Sequence, residues 1–151
     1  MFLLSCYTGL SYIEVCRLGT KEINIDIQGD QWIEMTRQKT LNTTELKFSV
    51  LLLPQAIEIL ECYRALAGSK EAERIFPCPT NQHTNRCLKQ IAKYACITKH
   101  LTFHVARYTF ATTVTLENGV SIESVAHMLG PSSTRTTQIY SKVKKKRSQM
   151  K

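Results

Sequence analysis

Three short runs of two-residue alternation, set between stretches of helical spacing, restrict this chain more than any other feature. Ile23, Ile25 and Ile27 alternate with Asn24, Asp26 and Gln28, as on a half-buried strand. Gly29-Asp30 offers a two-residue turn, because glycine accepts positive φ. The stretch from Trp32 to about Lys39 reads as the return strand, "LNTTE" as the next turn and "LKFSVLLL" as a third strand. Strands joined by turns this short pair as an antiparallel meander. Trp32, Phe48 and Leu51 to Leu53 are its expected contribution to the core.

The flanks predict helices. Leu3, Leu4, Cys6, Tyr7, Leu10, Ile13, Val15 and Leu18 recur at helical spacing, with a break at "TGL", where Gly9 ends one helix and Ser11 caps the next. Pro54 suits the first turn of a helix through "QAIEILECYRAL". "AGSKEAERIFPCPTNQ" is loop-like, and Asn81 or Thr84 is the expected cap of the helix "NRCLKQIAKYAC". A further helix carries His104 and Arg107 and ends near Asn118-Gly119. "SIESVAHML" begins with a capping serine and stops at Gly130-Pro131, and "STRTTQIYSKV" forms a last short helix. The fold class is therefore α+β, mainly α-helical, with a three-stranded antiparallel sheet.

At 151 residues the chain is most simply one domain, residues 1–151, with one sizeable core. No apolar run approaches bilayer-spanning length. The start "MFLLSCYTGL" lacks a basic n-region and a cleavage site, and reads as a buried helix entered midway in a longer protein. Cys6, Cys16, Cys62, Cys78, Cys87 and Cys96 form no CxxC pair and show no zinc-ligand spacing, so reduced, mostly buried thiols in a cytoplasmic protein are expected. Neither metal nor other cofactor is expected. The net charge is +8 and unevenly placed: after Glu123 no acidic residue follows, whereas Arg135, Lys142, Lys144, Lys145, Lys146, Arg147 and Lys151 do. Such an end fits contact with a polyanion, and equally a solvated tail.

His104 and Arg107 stand one helical turn apart in the apolar stretch "LTFHVARYTF". The pair fits a solvent-facing polar stripe as well as an anion site in which two donors grip one phosphate. Tyr140 follows a threonine-rich helix start, and Lys39 shares a strand face with Arg37. A nucleophile, two cationic clamps and a proton donor are the parts needed for in-line attack on a phosphodiester without a metal.

"HVARYTFATTVTLENGVSIESVAHMLGPSSTRTTQIYSKV" resembles the C-terminal half of a tyrosine recombinase (phage integrase family) catalytic domain. "TRQKT" resembles the family's hairpin lysine segment, and "CYTGLSYIEVCRL" its opening segment, as in integrases of conjugative transposons and related mobile elements. The resemblance implies a site-specific DNA recombinase working through a 3′-phosphotyrosine. Tyr140 would be the nucleophile, Arg107 the ligand of the non-bridging phosphate oxygens, His104 a second phosphate ligand or the group that manages the tyrosine proton, Lys39 the acid for the departing 5′ oxygen and Glu14 a supporting carboxylate. Arg37, Arg135, Lys142, Lys144 and Lys145 would hold DNA. It also implies double-stranded DNA as partner, a homo-tetramer on DNA in the full-length protein, no membrane, and an N-terminal core-binding domain outside these residues.

Two positions depart from the family pattern. Ser11 stands where an arginine usually follows "TGL", with Arg17 and Arg37 as candidates to lend charge instead. Pro131 replaces the histidine of "LGH" and has neither a side-chain donor nor a backbone N–H; His127, one turn upstream, is a candidate substitute but reads more readily as a surface or helix-end histidine. An impaired DNA-binding relic of the same fold and a type IB topoisomerase-like enzyme are the alternatives.

Overall fold

The computed structural model describes residues 1–37, 46–67 and 73–129. Helix α1 (Phe2–Thr8) stops where Gly9 turns left-handed at φ 70, and α2 (Tyr12–Arg17) starts at once behind it. Strands β1 (Ile23–Ile25), β2 (Gln31–Arg37) and β3 (Leu46–Leu51) form an antiparallel sheet in that order. Then come α3 (Pro54–Ala67), α4 (Asn81–Tyr94), α5 (Phe103–Thr109) and α6 (Ile122–Leu129). The α+β, mainly helical architecture with a three-stranded meander is the one expected.

The β2–β3 register pairs Ile33 with Val50 and Met35 with Phe48, all four buried. That face of the sheet joins one hydrophobic core with Leu4, Leu10, Val15 and Leu60, which are fully or almost fully buried. The same register corrects two expected core positions. Val50 faces inward, so Leu51 must face outward, and it is 37% exposed. Its partner Trp32 is only half-buried.

The first hairpin also differs from expectation. β1 ends at Ile25, and the chain turns through Asp26–Gly29 with Gly29 N donating to Asp26 O at 3.1 Å and Asp26 N donating to Asp30 O at 2.9 Å. Gly29 takes the left-handed position at φ 89, the pattern of a three-residue loop. Ile27 is thereby fully exposed at the tip and does not extend the strand. The cause is Asp26. Its carboxylate accepts from Gln28 N at 2.9 Å, Asp30 N at 3.0 Å and Trp32 Nε1 at 2.9 Å, a side-chain turn that competes with strand pairing.

The Trp32 donor above all, with the backbone donors, holds the Asp26 carboxyl below its usual range. A carboxyl lowered by folding contributes stability above its unfolded value of ~3.9 and loses it as pH falls through the folded value. Trp32 is the single tryptophan. Its fluorescence is expected to hold steady from neutral pH to ~5 and to change below ~4. Asp26→Asn should remove that step.

Local chemistry explains the remaining elements. Thr80, not Asn81 or Thr84, caps α4, its hydroxyl accepting from His83 N at 3.2 Å. Ser121 caps α6 as expected, accepting from Ser124 N at 3.1 Å. Beyond α5 the helix widens into a π-helical turn, Phe110–Thr115, followed by a 3₁₀ turn. Thr112 and Thr115 hydroxyls bond back to Tyr108 O and Ala111 O at 3.0 and 2.8 Å, a habit that bends helices. The six cysteines are free, but Cys62, Cys78 and Cys96 are exposed and the other three half-buried, so the expected burial of the thiols is corrected. Among the described residues no helix is long and apolar enough to cross a membrane.

Candidate active site

Two short helices meet at the "TGL" break, and their end chemistry builds the site. Ser11 Oγ accepts from Glu14 N at 3.4 Å while Glu14 Oε2 accepts from Ser11 N at 2.7 Å. This capping box satisfies two donors of the first turn of α2 reciprocally. It also fixes Glu14, a buried carboxylate, at the start of the helix. Ser11 is therefore occupied in backbone capping at the position where an arginine was expected. Ser11→Ala should cost about 0.5–2 kcal/mol, read as a lowered urea midpoint with an unchanged slope.

Helix α5 brings His104 and Arg107 to the same place. Phe103 anchors it, with its ring edge-on to Phe2 at 6.1 Å and to Tyr12 at 5.5 Å. Thr102, at its start, makes no side-chain cap; Asn85 of α4 instead accepts from Phe103 N at 2.8 Å. Arg107 reaches back across the "TGL" break. Its Nη1 donates to Gly9 O at 2.7 Å, its Nη2 donates to Leu129 O, and Nη1 lies 3.6 Å from Glu14 Oε2. The two carbonyls lie at the C-terminal ends of α1 and α6, where backbone acceptors lack helical partners and cations are favoured. One planar guanidinium thus joins three motifs of the sequence.

A cleft of about 280 Å³ opens beside it, lined among others by Ser11, Tyr12, Asn81, Asn85, His104 and Arg107. His104 is exposed there and Arg107 half-buried. An exposed imidazole beside a fixed guanidinium offers two donors to one anion. Of the expected site residues, Glu14, His104, Arg107 and Ser11 are thus brought together. Arg37 ends β2 opposite Leu46. Lys39, Pro131, Arg135, Tyr140, Lys142, Lys144 and Lys145 lie outside the described residues.

Arg17 does not enter this cleft. It lines a second one, of about 570 Å³, together with Lys21, Lys47, His127, Glu22 and Glu34. The physical reason is helical: Arg17 ends α2, the opposite end from Ser11. His127, exposed, belongs to that second group. Asn81, Asn85 and the Gly9 and Leu129 carbonyls were not anticipated, since none carries a local signal of long-range contact. Among the described residues no three His, Cys, Asp or Glu side chains are grouped to hold a metal ion.

The chain is 48% identical over 62 residues to tyrosine recombinase XerD of Halalkalibacterium halodurans, 41% of this chain and 20% of that protein. It superposes on the crystal structure of XerA recombinase with a TM-score of 0.71 at 26% identity, covering 98% of this chain and 56% of the other. The XerH site-specific recombinase, bound to a palindromic difH substrate in a post-cleavage complex, shares the fold: TM-score 0.74, 21% identity, 99% of this chain and 43% of that one. The chain thus spans about half the length of these solved relatives. Residues 1–147 match the phage integrase family, and the chain belongs to it.

Proposed function

We propose that this chain is the strand-cleaving domain of a site-specific DNA recombinase, which breaks and rejoins DNA through a 3′-phosphotyrosine intermediate. The observation that carries this is Arg107, held by two helix-end carbonyls and Glu14 at the edge of the cleft that His104 lines. Donors fixed before the reaction stabilise developing charge without reorganising during it. In the proposed reaction the Tyr140 oxygen attacks phosphorus in line, and the P–O bond to the 5′ oxygen breaks. Arg107 holds the non-bridging oxygens, His104 takes the tyrosine proton beside the phosphate, and Lys39 gives a proton to the departing oxygen. Tyrosine has a free pKa near ~10, so nearby cations are needed to make it a nucleophile. The phosphotyrosine ester conserves the bond energy, so a 5′ hydroxyl of another strand reverses the step.

Arg37, Arg135, Lys142, Lys144 and Lys145 are proposed to follow the backbone of double-stranded DNA, with a homo-tetramer of the full-length protein acting on two duplexes. The likeness to named recombinases, one of them solved on its difH substrate, supports DNA as the partner.

A nicked duplex carrying a candidate crossover site, whose short 5′ fragment diffuses away after cleavage, tests the chemistry. A covalent protein–DNA band on a denaturing gel is expected, and it should vanish in Tyr140→Phe. The capping role of Ser11, together with Pro131, favours a second reading, a DNA-binding domain that no longer turns over. That reading requires the chain to bind the duplex without a band while Ser11→Arg combined with Pro131→His restores one.

A further inference from the structure

We propose that Cys16 and Cys78 are a redox modification site, closing to a reversible disulfide that ties α2 to the segment leading into α4. The two residues lie on a seam where distant parts of the chain run side by side. Ile75 N donates to Leu18 O at 3.0 Å, Cys78 Sγ donates to Cys16 O at 3.1 Å, and the Tyr12 hydroxyl donates to Pro79 O. The Cys78 sulfur thus already sits 3.1 Å from the Cys16 carbonyl oxygen, and a disulfide would require the two Cα atoms to settle about 4.4–6.8 Å apart. The proposed cleavage reaction uses neither thiol.

Exposure sets the order of events. Cys78 is exposed and meets a peroxide first, whereas Cys16 is half-buried. Burial, the largest influence on Cys16, pushes its thiol up, although Arg74 nearby acts the other way. A peroxide such as H₂O₂ converts the Cys78 thiol to a sulfenic acid, and its O–O bond breaks with release of one water. The Cys16 sulfur then attacks the Cys78 sulfur; its proton leaves with the sulfenic hydroxyl as a second water, and the S–S bond forms. Two electrons pass from the thiol pair to the peroxide. Tyr12 and Asn81, on the two tied segments, line the cleft that holds His104 and Arg107, so the bond would fix two of its walls.

The test is mild H₂O₂ treatment of the 151-residue chain, alkylation of remaining thiols and peptide mapping by mass spectrometry. One linked species is expected, joining the tryptic peptide of Cys16 to that of Cys78 and separating with dithiothreitol. Fragmentation must place the bond at Cys16 and not at Cys6, which shares its tryptic peptide. Cys78→Ser, a change at an exposed position, should abolish the species, whereas Cys62→Ser should leave it intact. A bond through any other cysteine would overturn the proposal. So would oxidation of Cys78 to the sulfinic acid while Cys16 remains alkylatable.

Discussion

Arg107→Ala is expected to lower stability by about 3–5 kcal/mol, the cost of removing one partner from a buried charge pair, and to abolish strand cleavage. The Arg107 and Glu14 side chains are only 14% and 9% exposed. The substitution withdraws the cation beside a buried carboxylate and one donor from each of two carbonyls. Those carbonyls close α1 and α6, so the loss reaches both helix ends as well as the cleft. Arg107→Lys separates structure from catalysis. An ammonium keeps the charge near Glu14 but lacks the planar fork that meets two acceptors at once. That variant should fold with a loss of about 1–3 kcal/mol and cleave about 10²–10³-fold more slowly, as when one fixed donor is lost. Urea unfolding gives the first quantity and the covalent-adduct gel the second. An Arg107→Ala protein as stable as the parent would show that the guanidinium does not hold these elements together.

What could be anticipated from sequence divides along the range of the interactions. The Gly9–Ser11 break and the capping of α2 depend on residues three apart, and both are found as expected. The sheet order follows from short turns. The hairpin tip departs from the pattern because Ile27 continues the alternation, while the decisive bonds come from the Asp26 side chain. Thr80 is hard to single out as the cap of α4 because Asn81 and Thr84, both able to cap, lie close by. His104 and Arg107 were recognisable as a pair, and Glu14 as a supporting carboxylate, but two of the partners of Arg107 lie 98 and 22 residues away and are backbone oxygens, which no pattern of residue types reveals. The expected burial of the cysteines failed for a related reason: Cys78 faces solvent on a seam formed by tertiary contact.

Gly9→Ala is expected to cost about 2–5 kcal/mol, combining roughly 1–2 for a left-handed residue with a side chain and about 1–3 for overpacking. Gly9 has φ 70, and an added Cβ would lie 2.5 Å from Phe110 Cδ1 and 3.0 Å from Leu129 Cδ2. Phe110 is buried at the start of the π-helical turn, so it has little room to yield. Gly9→Asn separates the two causes, because asparagine tolerates the left-handed region but carries the same Cβ. It should recover the conformational part and keep the collision. Gly9→Ala combined with Phe110→Leu tests the collision from the other side: the pair should cost less than the sum of the single changes, a coupling that urea unfolding of all four proteins measures. The Gly9 carbonyl also anchors Arg107 at 2.7 Å. A shifted backbone there moves the guanidinium, so Gly9→Asn should lose cleavage more steeply than stability. Cleavage falling only in proportion to the folded fraction would instead confine Gly9 to the turn and leave Arg107 to Leu129 and Glu14.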